Sequence, residues 1–73
     1  MTNVRKTVGR RLREARYVRG CTQAQVAELV EVSLRSVVRY EAGERMPSSE
    51  TLIRLAVAFG RPAEWFFETL KGD

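Results

Sequence analysis

A chain of 73 residues forms one small domain, and a domain of this size buries only about 60% of its unfolded surface, so its core is marginal. It has no histidine and a single cysteine, Cys21, which rules out a disulfide framework within the chain, leaves no ligand set for zinc and forbids any Ser-His or Cys-His couple. Its formal charge of +4 rests on eleven arginines and two lysines against nine acidic residues, and arginine's planar fork suits phosphate and guanine better than a lysine does. No apolar run approaches the roughly 20 residues that span a bilayer. The opening MTNVRKTVGRR lacks the apolar stretch of a secretory signal, so a cytoplasmic protein is expected.

The first helix is expected from about Asn3 to Arg19, with Val4, Val8, Leu12 and Ala15 as its apolar stripe. Gly20 sits where a helix stops in the left-handed conformation. Cys21 reads as a small buried hydrophobe, with a reactive thiol as the lesser alternative. Thr22 and Gln25 then make a capping box for a second helix, about Gln23 to Val30, with Val26, Ala27 and Val30 inward. Glu31, Val32 and Ser33 interrupt the pattern. Ser33 caps a third helix, about Leu34 to Ala42, which turns Val37 and Tyr40 to the core. Gly43 ends it.

Ser48 caps a fourth helix whose buried stripe is Leu52, Leu55, Ala56 and Phe59, closed by Gly60. Pro62 fits the first position of a fifth, which carries Trp65, Phe66, Phe67 and Leu70. Three adjacent rings on a helix cannot all face one core. Phe66 is expected inward, with Trp65 or Phe67 left for a partner copy. The whole, residues 1–73, reads as one all-α domain, a compact bundle of about five short helices.

The break at 31–33 has a geometric meaning. Two helices joined by so short a turn cross steeply, and the second can then present a free face. On the third helix Arg35 and Arg39 are four apart, flanked by Leu34 and Val38, also four apart. Arginine can read guanine O6 and N7, and an aliphatic side chain can meet a thymine methyl. The plainer alternative is that the two arginines are merely solvated and the aliphatic pair packs.

From about Val8 to Phe67 the chain resembles the phage repressor and Cro family of helix-turn-helix proteins, whose domain has the lambda-repressor-like fold. The resemblance is carried by Leu12, Arg13 and Arg16; Gly20; Thr22 to Ala27; Val32 and Ser33; Arg39 to Gly43; Pro47; Ser48 to Leu52; Leu55 and Ala56; Phe59 and Gly60. The helix-turn-helix itself spans about residues 22–42. The resemblance implies double-stranded DNA as partner, read in the major groove by Leu34, Arg35, Val38 and Arg39. It implies a phosphate contact for Gln23, where the dipole of a helix N-terminus favours an anion. Ser36, Arg10, Arg13, Arg45 and Arg54 are further candidates for the phosphate rim, although most surface arginines touch only water. Arg16 and Glu41 match a pair that bridges the first helix to the third; the alternative is two solvated charges. Glu31 stands where relatives carry a turn glycine, which costs of order 1 kcal/mol.

The expected function is sequence-specific transcription regulation as a homodimer, in the manner of a Cro-type repressor or a restriction-modification controller. An antitoxin-type autoregulator, or an interaction module that keeps the fold without reading DNA, is the alternative. An arginine-rich first helix at anionic membranes fits less well. Neither enzyme activity, cofactor, metal nor small-molecule ligand is expected.

Overall fold

The computed structural model describes residues 3–68. Four α-helices follow one another: α1 (Val4–Arg19), α2 (Gln23–Val30), α3 (Leu34–Glu41) and α4 (Ser49–Phe59), then a 3-10 turn at Ala63–Phe67. Among the described residues there is no strand. The fifth element is thus a single tight turn and not the α-helix expected from Pro62 onward. Leu70, assigned to that helix, lies outside the described residues.

Local chemistry sets each helix end. The side chains of Asn3, Thr22, Ser33 and Ser48 accept hydrogen bonds from the backbone N–H of Lys6, Gln25, Ser36 and Thr51. Each satisfies a donor that the first turn cannot. At Thr22 the box is closed, because its own N–H donates to Gln25 Oε1 at 2.8 Å. All four helices stop the same way. Cys21 N–H reaches Arg16 O, Val32 N–H reaches Ala27 O, Glu44 N–H reaches Arg39 O and Arg61 N–H reaches Ala56 O, each at 3.0 Å. The residue before each donor is left-handed: Gly20, Glu31, Gly43 and Gly60. Glu31, at φ 60°, does a glycine's work with a side chain attached.

The core lies between α1, α2, α4 and the inner face of α3. Val8, Leu12, Val26, Val37, Leu55 and Phe66 are fully buried at its centre. Val4 is not part of the stripe; it is half exposed at the start of α1. Cys21 is half-buried and packs against the cluster's edge. The 3-10 turn docks on α1 and α4. At three residues per turn its side chains diverge by about 120°, and the three rings separate accordingly. Phe66 enters the core and Phe67 points out, 42% exposed. Trp65 was expected to share Phe67's exposed role. It is buried instead, with the guanidinium groups of Arg11 and Arg61 over its ring, 4.6 and 4.4 Å from the centre.

Candidate nucleic-acid interface

The free face of α3 is what the interruption at 31–33 creates. Val37 and Tyr40 are buried, so α3 sits on α1 and α2 through that side. The opposite side carries Leu34, Arg35, Val38 and Arg39, all exposed, with Leu34 at 49% and Val38 at 43%. Among the described residues neither Arg35 nor Arg39 has a hydrogen-bonding or ionic partner. Two adjacent aliphatic tips and two uncommitted guanidinium forks therefore share one surface.

One buried carboxylate holds α3 in place. The side chain of Glu41 is 1% exposed. Its Oε2 accepts from Arg16 Nε at 2.7 Å and its Oε1 from Arg16 Nη2 at 2.9 Å, a two-pronged pair. Arg16 Nη1 also donates to the carbonyl of Cys21 at 3.1 Å, which ties the end of α1 into the same knot. The hydrogen bond to Glu41 raises the Arg16 guanidinium above its already high pKa, against the opposing effect of burial. A raised pKa contributes stability that is fully present below the unfolded value and is lost only as pH rises through the folded one, so the Arg16 guanidinium keeps its charge in neutral solution. Arg13 Nε lies 3.6 Å from Glu41 Oε1, while the rest of that side chain is open to solvent.

Two residues expected at phosphate are engaged inside the fold. Gln23 donates from Nε2 to Glu41 Oε1 at 3.2 Å, so its side chain braces α2 against α3. What Gln23 retains for an anion is its backbone N–H in the first turn of α2, where no intrahelical acceptor exists. Ser36 is buried. Its Oγ accepts from Ser33 Oγ at 3.0 Å and from Arg45 Nη1 at 3.2 Å. Arg45 is thereby latched to the first turn of α3 and stacks over Tyr40, 6.0 Å from its centre. Arg10 and Arg13 are exposed on α1. Arg54 is spent elsewhere, on Glu50 at 2.8 Å and on the last carbonyl of α2, Val30 O, at 3.4 Å. The Ser33–Ser36–Arg45 chain escapes a sequence reading, because nine residues and a turn separate Ser36 from Arg45.

The pattern of the helix-turn-helix family matches residues 10–66. The chain belongs to the helix-turn-helix family. Within it the chain is of the Cro/C1 type. An HTH-type transcriptional regulatory protein of Pyrococcus furiosus is 46% identical over 54 residues, 74% of this chain and 17% of that protein. The transcriptional repressor RstR of the cryptic phage CTXphi in Vibrio cholerae is 42% identical over 48 residues, 66% of this chain and 43% of that protein. The chain therefore spans less than half the length of either. The restriction-modification controller protein C.AhdI of Aeromonas hydrophila superposes with a TM-score of 0.80 at 30% identity, over 86% of this chain and 96% of that one. The lambda-repressor-like helical fold expected for the family is the fold observed.

Proposed function

We propose that the protein is a sequence-specific DNA-binding transcription regulator that reads the major groove with α3. The observation that carries this is the exposed set Leu34, Arg35, Val38 and Arg39, with both forks uncommitted, on a helix braced by a buried ion pair. Arg16 and Glu41 serve to hold that helix at its angle. Arg10, Arg13, Arg45 and the N-terminus of α2 supply the phosphate contacts, which set register without choosing sequence.

The protein works as two copies on a two-fold site, with half-sites about one helical turn, ~34 Å, apart. Phe67 provides apolar surface for the second copy, and so do Ile53 and Val57, four apart on the outer side of α4. Sedimentation is expected to show dimer at micromolar concentration; monomer alone at hundreds of micromolar overturns this part. The structural likeness to a restriction-modification controller protein, at 30% identity and a TM-score of 0.80, supports a regulator of the controller type. Action on DNA implies a cytoplasmic protein.

The reading as a whole is tested by selection from random duplex DNA. The expected outcome is a two-fold consensus whose binding weakens steeply with salt, as counterions return to the phosphates. Recovery of no shared sequence would leave the surface of α3 without this role.

A further inference from the structure

Gly9 lies inside α1, where glycine is a poor helix former. What it faces explains its presence. A Cβ at this position would fall 2.4 Å from the carbonyl oxygen of Tyr40 and 3.0 Å from that of Glu41. Both are main-chain atoms in the last turn of α3, so no side-chain rotation relieves the clash. Restoring an ordinary contact, near 3.4 Å, would move that turn by about 1 Å.

Gly9, Arg13 and Arg16 are spaced four and three apart and share one face of α1. That face meets α3 in two ways. At Gly9 the two backbones touch, while Arg16 reaches across with its fork to Glu41. One turn before Gly9, Lys6 lies against Gly43, where a Cβ would fall 2.6 Å from Lys6 Cγ. Contact at one point leaves a helix free to swivel; contact at several fixes its tilt and its height.

We infer that Gly9 is a positioning residue for α3: its missing side chain seats the end of that helix at the depth from which Leu34, Arg35, Val38 and Arg39 meet base edges. Any side chain at position 9 lifts them out of register with the phosphate contacts made by α1 and α2. This inference rests on the DNA-reading role proposed above.

The test compares Gly9→Ala with Gly20→Ala. Gly20 is left-handed, at φ 69°, and a Cβ there meets nothing within 4 Å. Alanine at 20 strains the local backbone but pushes nothing against α3. Affinity is measured for the duplex that the unsubstituted protein selects and for an unrelated duplex of equal length, at one salt concentration. Partial unfolding lowers both affinities by the same factor, because only the folded fraction binds. The ratio of the two is therefore blind to stability. Where Gly9→Ala is largely unfolded, trimethylamine N-oxide restores the folded population and the same ratio is read.

The expected ratio falls about tenfold or more for Gly9→Ala, the size of one lost bidentate base contact, and stays within about twofold for Gly20→Ala. An unchanged ratio for Gly9→Ala overturns the inference, and so does an equal fall in both variants. If the unsubstituted protein selects no duplex, the DNA reading has failed and takes this inference with it. That result is distinguishable, because it is seen before any substitution is made.

Discussion

The two sides of the molecule use arginine in opposite ways. On α3, Arg35 and Arg39 project from the surface and commit their forks to nothing among the described residues. On the far side, the guanidinium groups of Arg11 and Arg61 sit over the ring of Trp65, and Arg11 also donates to Glu68 O at 3.2 Å. Arg19 covers Phe59 and donates to Ala58 O at 3.1 Å. The first pair is held ready for a partner; the second group closes the core of a domain too small to close it with aliphatic side chains alone. Net charge counts both groups equally. The difference shows why a basic composition by itself says little about how much positive surface faces an anion.

Substitutions can pull the two sides apart. The largest effect is expected at the brace between them. Arg16→Ala strands a buried carboxylate, with only Gln23 and Arg13 left to attend it. Loss of one partner of such a pair costs about 3 kcal/mol, and thermal denaturation should show a fall of more than about 10 °C. A change of only a degree or two would mean that the pair is not what holds α3.

Next comes the outward face. Arg39→Ala should leave the melting temperature nearly unchanged while costing about 1–3 kcal/mol at the selected site and relaxing preference at one base position. The back of the molecule should answer in reverse. Arg11→Ala uncovers one face of Trp65, the only tryptophan in the chain. It should cost about 1–2 kcal/mol of stability and shift the tryptophan emission to the red, with the cognate-to-unrelated affinity ratio intact. A changed ratio would mean that the two sides are not independent.

The smallest effect belongs to the turn. Glu31→Gly relieves a left-handed residue but adds freedom to the unfolded chain. The net gain in stability should be up to about 1 kcal/mol by denaturant titration, with DNA affinity unaltered.

What could be read from the sequence follows from how far each signal reaches. The box at Thr22 and Gln25 and the caps at Ser33 and Ser48 are bonds across three residues, so their chemistry is written locally. The outward set on α3 was equally legible, because Val37 and Tyr40 claim the core and periodicity assigns the rest. Trp65 was not. Its burial depends on Arg11, more than fifty residues away, and on a turn of three residues instead of 3.6. The bonds that Gln23 and Ser36 make inside the fold were out of reach for a similar reason, since Glu41 and Arg45 engage them across the fold. Gly9 did leave a trace, a glycine inside a helical run, but only the position of α3 gives it meaning.

Nuclear magnetic resonance of the isotopically labelled protein, titrated with its selected duplex, tests the central claim most directly. The account predicts the largest shifts at the backbone amides of residues 34–39 and at the Nε–H groups of Arg35 and Arg39, with Arg11, Arg61 and the Trp65 indole little changed in the same titration. Large shifts confined to residues 61–68, with α3 silent, would contradict it.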